Sequence, residues 1–506
     1  MSTIRRQSII SSGLVYFGFA LGFVYTLLFA KGFTPAQYGL TSIFMSLGMI
    51  MYSVANLGVP AYLYKFFPYY RDRLPRREND MLSWALLIGA VGFLLVMLAG
   101  FIFKGLVIRK FSEQSPEFVK YYYLTFLFGF GLSFYSLLEA YAWQLKKSVL
   151  TNYFREVQLR LYTILLVLLF FAGVLSSFDI FIKLYALSYL IVALSLFIYL
   201  AAIGELHFTL KVSKVTRRFK RKIITQAGLV WSGQIWYNLS LYFGQIVIAA
   251  VVPGGLKFVG IYTLAQYVAS LIQAPQRGVI AASIGPLSQA WKDKDYGRID
   301  RIYKRSSINQ LIFSVAMFVL IWINFSDGVL TFHLKPDYLL ARNAFFFFGL
   351  MRVVDMGTGV TNQIIATSTY WRFDFFTGVT LALITLPMNY LLTKSLGYIG
   401  PAVSDLITFS VYNGIRWGFL YWKFGKFGMQ PFTLKTVYTL LLGAAAWYLT
   451  QLLFAADGGF LRIVARSLVF LTIYGAGVLS LRLSEDIGPV WNTIKKRLGS
   501  RSAATR

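Results

Sequence analysis

The chain contains no cysteine and only two histidines in 506 residues. A disulfide framework, a thiolate metal site and a thiol nucleophile are therefore all excluded. His207 and His333 fall in separate polar intervals and form no metal pair, so neither a metal nor a cofactor is expected. Acids are also scarce, at 20 Asp plus Glu against 49 Lys plus Arg. Long polar stretches are missing too: those near Phe66 to Asp80, Leu206 to Lys222 and Ser288 to Ser307 are each too short to build an independent core. The acids in Asp72, Glu78 and Asp80, and the mixed run Lys292, Asp293, Lys294, Asp295, read as solvated loop charge.

What fills the chain instead is apolar. Hydrophobic residues make up 57% and charged ones 14%, with a mean hydropathy of +0.62. The apolar residues come in runs of roughly 20, long enough for a helix to cross about 30 Å of hydrocarbon. Such segments lie at 8–30, 38–65, 82–104, 118–145, 157–176, 180–203, 223–252, 257–286, 308–329, 340–369, 373–393, 397–422, 434–455 and 461–481. The expected fold is an all-α polytopic membrane protein with about 14 transmembrane helices. The first run sits behind Arg5 and Arg6 like a signal peptide, but it lacks a small-residue cleavage pattern and reads as an uncleaved first helix.

The net charge of +29 is spread over short loops, which points to anionic lipid headgroups rather than nucleic acid. Loops after even-numbered segments hold Arg71, Arg73, Arg76 and Arg77; Lys146 and Lys147; Lys211 to Lys222; Lys292 to Arg305; and the tail Lys495 to Arg506. Loops after odd-numbered segments are poorer in charge, Arg109 and Lys110 excepted. Positive charge stays in the cytoplasm, so both termini are expected there.

The basic block after the sixth segment divides the chain. The expected organisation is an N-terminal six-helix lobe over 1–205, a basic cytoplasmic linker over 206–222, a second six-helix lobe over 223–424, two additional helices over 425–482 and a basic tail over 483–506. Arg6 to Tyr16 parallels Arg221 to Trp231, and Tyr38-Gly39-Leu40 parallels Val259-Gly260-Ile261. An even number of spans per lobe makes this a parallel pseudo-repeat about an axis along the membrane normal, enclosing a central cleft.

Ionisable groups inside apolar spans are costly and need a partner, water or a ligand. The candidates are Lys65, Glu139, Arg277, Arg352, Asp355, Asp405 and Arg416. Arg277 lies in a segment that Pro275 interrupts. Its guanidinium either holds a phosphate oxygen in a cavity or snorkels toward headgroups, since Pro286 closes the span soon after. Arg352 and Asp355 share a helix face and either neutralise one another or form a coupling switch. Glu139 and Asp405 are candidate proton-coupling acids or interhelical ties, with Lys146 about two turns from Glu139. Gln234, Asn238 and Gln245 share one helix face, where amides either meet sugar hydroxyls or bond neighbouring helices. The 33 tyrosines and 46 phenylalanines are too many to mark a single site.

Several stretches resemble the Wzx-type polysaccharide flippases of the multidrug/oligosaccharidyl-lipid/polysaccharide (MOP) exporter superfamily, across most of 1–425. Thr34-Pro-Ala-Gln-Tyr-Gly-Leu40 resembles the first outer turn, and Asn56-Leu-Gly-Val-Pro60 with Lys65 resembles the end of the second helix. Gly285 to Tyr296 with Ile302 to Ser307 is similar to the loop joining helices eight and nine. Met388-Asn-Tyr-Leu-Leu with Leu396 to Val403 is similar to the turn between helices eleven and twelve. The resemblance implies a bacterial inner-membrane transporter, not an enzyme, that flips undecaprenyl-diphosphate-linked oligosaccharide outward by alternating access. Lys65, Arg277 and Arg352 would line its cationic cavity. Membrane lipids and the polysaccharide polymerase machinery are the partners it implies. The competing readings are a multidrug or cation antiporter, which needs acidic cavity residues, and a membrane glycosyltransferase or polymerase, for which the acid-free loop Lys31 to Gln37 is unsuited.

Overall fold

A computed structural model describes residues 3–454 and 459–486, and every regular element among them is helical. The basic tail expected from Lys495 to Arg506 lies outside the described residues. The chain forms two compact units, one of Met1–Thr263 with Thr393–Tyr398, the other of Leu264–Leu392 with Ile399–Arg506.

The first unit begins with α1 (Thr3–Gly32), α2 (Pro35–Ala55), α3 (Val59–Arg73) and α4 (Met81–Ile102). It continues through the short α5 (Lys104–Phe111) and α6 (Pro116–Lys120) to α7 (Tyr122–Gln144). Next come α8 (Ser148–Asn152), a single π-helical stretch at Tyr153–Gln158, α9 (Leu159–Phe171), α10 (Phe178–Ala186) and α11 (Ser188–Ala202). The long α12 (Lys214–Val251) follows, and then α13 (Gly255–Ser270), within which the boundary between the units falls. The second unit continues with α14 (Gln276–Lys292), α15 (Tyr296–Thr331), α16 (Ala341–Gly357), α17 (Thr361–Thr367), α18 (Trp371–Leu396), α19 (Gly400–Phe424), α20 (Leu434–Leu453) and α21 (Phe460–Ser480).

All fourteen apolar segments fall on helices. Nine helices among the described residues are long and apolar enough to cross a membrane, and a tenth arises if α16 and α17, bent by 48°, count as one broken span. The segment expected as one span at 38–65 is two helices. Asn56 closes α2, its side-chain Oδ1 accepts from the Gly58 N–H at 2.9 Å, and Gly58 takes φ +78°, where a Cβ would be strained. Pro60 then sits in the first turn of α3, where its missing N–H costs nothing. At the other end of α2, Thr34 and Gln37 form a reciprocal capping box at 3.2 and 2.9 Å.

By its contacts α12 belongs to the first unit, so the packing boundary differs from the expected division at 206–222. The reason is polar. Gln245 bonds Ser46 on α2, Asn56 donates to Gln234 at 3.4 Å, and the Trp231 indole donates to the Ser53 carbonyl at 2.9 Å. The N-terminus of α12 is held by Asp80, whose Oδ2 accepts from Ser213 N at 2.9 Å and from Thr216 Oγ1 at 2.7 Å. Asp80 is fully buried, a correction to its reading as solvated loop charge.

The repeat's aligned glycines meet. A Cβ on Gly39 would lie 1.9 Å from the Leu256 carbonyl oxygen, and one on Gly260 would lie 2.0 Å from the Pro35 carbonyl oxygen. Each glycine therefore faces the carbonyl four residues before its counterpart, so α2 and α13 cross in a self-complementary contact that only glycine permits.

The second unit packs α15 against α16, α20 and α21, with Leu311, Val315, Val319, Phe470 and Tyr474 in its apolar core. Within that packing Arg466 donates to Asp327 at 2.6 Å and to the Ile323 carbonyl at 2.7 Å. Neither side chain of this ion pair is more than 3% exposed.

Candidate functional site

Each unit carries its own polar cluster among apolar helices. In the first unit, Glu139 on α7 accepts from Arg155 at 3.2 Å. Arg155 lies 3.6 Å from Glu156, and Glu156 pairs with Arg160 at 2.9 Å. The two acids and two arginines form a neutral chain. Tyr135 donates to the Thr151 carbonyl at 2.7 Å beside it. The π-helical stretch brings Arg155 and Glu156 into this chain, a distortion that often accompanies function. α1 lies close over the cluster, since a Cβ on Gly18 would stand 2.6 Å from Arg160 Nη1. The partner of Glu139 is thus Arg155, not the nearby Lys146.

Sequence reasoning missed Arg155 and Glu156 because the apolar run there starts at 157, and it passed over Arg160 inside that run. The i,i+4 spacing of Glu156 and Arg160 was the available signal.

In the second unit Asp355 is held by amide side chains. One Asp355 oxygen accepts from Gln273 at 3.3 Å and Gln276 at 3.2 Å, and the other from Asn413 at 3.2 Å. Arg352 stands within electrostatic range of Asp405 on α19, and Arg416 stands in the same relation to Asp355. α16 packs along α19, which brings Asn413 to Asp355. Arg416 is 2% exposed, bonds Asn362 and Thr377 Oγ1 (3.3 Å), and lies over the Tyr412 ring at 4.1 Å. Asp405 is half-buried. Asp355 is thus held by three amide side chains, and Arg416 by Asn362, Thr377 and the Tyr412 ring.

The break expected around Pro275 is present: α13 ends, one 3-10 turn covers Leu271–Gln273, and α14 starts at Gln276. Arg277 therefore occupies the first turn of α14 and is exposed, where its charge and the positive end of the helix dipole favour an anion together. Pro286 does not end the span. It lies inside α14, which runs to Lys292. Lys65 projects from an exposed position of α3, 6.0 Å from the Phe66 ring centroid. Gln234 and Gln245 reach α2 as described above, and Asn238 is buried on the same helix. Among the described residues no group of three or more His, Asp or Glu is arranged to hold a metal.

The profile of the polysaccharide biosynthesis protein family matches residues 4–290. No curated protein matches the chain in sequence. Among solved structures, a lipid II flippase MurJ in an inward closed conformation is similar with a TM-score of 0.70 at 14% identity, covering 94% of this chain and 99% of its own. An inward-facing multidrug resistance MATE family transporter of the MOP superfamily reaches 0.62 at 13% identity, covering 81% and 95%. A MOP superfamily transporter from Pyrococcus furiosus reaches 0.54 at 12% identity, covering 83% and 96%. The helical architecture is thus the fold of MOP-superfamily transporters, and the chain, a multi-pass membrane protein, belongs to the polysaccharide biosynthesis protein family.

Proposed function

We propose that this transporter flips undecaprenyl-diphosphate-linked oligosaccharide from the cytoplasmic to the outer leaflet of the bacterial inner membrane, by ion-coupled alternating access, in the assembly of a surface polysaccharide such as lipopolysaccharide. The observation that carries this reading is membership of a polysaccharide biosynthesis family on an exporter fold. Both termini face the cytoplasm, as the basic loops require, and the fourteen spans are arranged as six, six and two.

The cations take different parts. Lys65 and Arg277, both exposed on their helices, meet the diphosphate, which a guanidinium holds with two parallel bonds. Arg352 is released toward the substrate when Asp405 takes up the coupling ion, and Asp355 relates to Arg416 in the same way. Glu139, tied to Arg155, exchanges its proton only if that pair opens. The amides Gln234, Asn238 and Gln245 hold α12 against α2 in this state and meet sugar hydroxyls in another.

The test is flipping of a fluorescent undecaprenyl-diphosphate oligosaccharide in proteoliposomes under an imposed ion gradient. Arg277→Ala is expected to lose transport with and without the gradient. Asp405→Asn is expected to lose only the gradient's stimulation. Folded variants that all transport like the parent would overturn the assignment of these residues.

A further inference from the structure

A groove of about 620 Å³ in the second unit is lined on one side by Arg298, Arg301 and Arg305 of α15 and on the other by Val279, Ala282 and Pro286 of α14. The three arginines follow at spacings of three and four, so they form a stripe down one face of α15 over about 10 Å. All three are exposed, while Ile299 and Tyr303 between them are buried. One side of the groove is thus cationic and the other apolar, with no carboxylate lining it.

Its depth follows from helix length. α15 has 36 residues, about 54 Å of helix, against about 30 Å of hydrocarbon. All its charged residues except Asp327 lie between Arg298 and Arg305, directly after the polar turn Lys292 to Asp295. With the apolar remainder of the helix across the hydrocarbon, that end is expected at the level of the headgroup phosphates. Arg305 is engaged elsewhere, by the carboxylate of Asp486 beyond α21. Neither Arg298 nor Arg301 has an ion pair among the described residues.

We propose that this groove holds an anionic glycerophospholipid of the surrounding bilayer, with its phosphodiester on Arg298 and Arg301 and an acyl chain along Val279, Ala282 and Pro286. A phosphodiester carries one negative charge and oxygens that suit guanidinium forks, and the apolar wall takes what a soluble phosphate lacks. The site is distinct from the transport residues and does not depend on what is transported.

The full chain in detergent, titrated with phosphatidylglycerol or phosphatidylcholine and read by native mass spectrometry, tests the proposal. Phosphatidylglycerol is expected to bind in preference. Arg298→Gln/Arg301→Gln is expected to weaken it roughly thirty-fold, the effect of two interfacial charges. Arg217→Gln/Arg218→Gln, which removes equal charge from exposed positions of α12, is expected to leave it unchanged. Ala282→Trp, which fills the apolar wall and keeps every charge, is expected to abolish the preference. No preference for phosphatidylglycerol, equal loss in both arginine double variants, or displacement by millimolar inorganic pyrophosphate would each overturn the site. Should Arg298→Gln/Arg301→Gln fail to purify, Ala282→Trp decides alone, and preference retained there refutes the proposal.

Discussion

Replacing Gly39 or Gly260 by alanine inserts a methyl group between two backbones. The added carbon would lie 1.9 or 2.0 Å from a carbonyl oxygen, where ordinary contact needs about 3.4 Å. No rotamer change relieves a clash with backbone, so α2 and α13 must separate by roughly 1.5 Å. Overpacking of this kind costs about 1–3 kcal/mol, and a backbone clash sits at the upper end. Helix propensity returns about 1 kcal/mol for Gly→Ala. Each single variant is therefore expected to lose about 2 kcal/mol.

Because one methyl already opens the contact that the second would violate, Gly39→Ala/Gly260→Ala should lose clearly less than the sum of the singles. Gly285→Ala on α14, where a Cβ meets nothing within 4 Å, is the control and should be neutral or slightly stabilising. Thermal unfolding of the purified variants, followed by tryptophan fluorescence, reads all four. Strict additivity, or singles indistinguishable from Gly285→Ala, would refute the close crossing.

Other consequences follow from the buried charges. Arg466→Met removes a buried ionic partner of Asp327 and should cost about 3–5 kcal/mol, whereas Arg466→Met/Asp327→Leu should recover most of it; a double variant as unstable as the single contradicts the pairing. Gly58→Ala should destabilise strongly, since φ is +78° and a Cβ would meet the Ala227 carbonyl oxygen at 2.3 Å; unfolding at the parent's temperature would count against that geometry. The hydrogen bond from Arg305 holds the Asp486 carboxyl below its ordinary pKa. The ionised form is thus favoured in the folded chain, so the tie of the segment after α21 is at full strength above about pH 4 and weakens as pH falls below it. Proteolysis of that segment should accelerate on acidification, and Asp486→Asn should remove the dependence. A parent chain whose cleavage rate is flat with pH sinks this reading.

Much of the architecture was legible because hydrophobic run length reports a span directly, and nine or ten of the helices among the described residues are long and apolar enough to be spans. Pro275 announced the interruption before α14 for the same local reason: proline removes an N–H wherever it stands. Asn56 to Pro60 held an equally local signal, yet its apolar flanks disguised two helices as one span. The candidate site was less legible. Arg352 and Asp355 are neighbours by helix periodicity, but the amides that hold Asp355 come from Gln273, Gln276 and Asn413, and no i,i+3 rule contains that information. Glu139 and Arg155 are joined across helices, and Asp327 and Arg466 sit 139 residues apart. Arg416 stood out as a charge in an apolar run, though its cradle of Asn362, Thr377 and Tyr412 belongs to tertiary structure alone.

The reading as a lipid-linked saccharide flippase is tested most directly by what the parent protein moves in proteoliposomes. The account predicts outward movement of a fluorescent undecaprenyl-diphosphate oligosaccharide, with no efflux of a cationic dye. Dye efflux without movement of any lipid-linked glycan would contradict it and make the chain a drug or cation antiporter on the same fold.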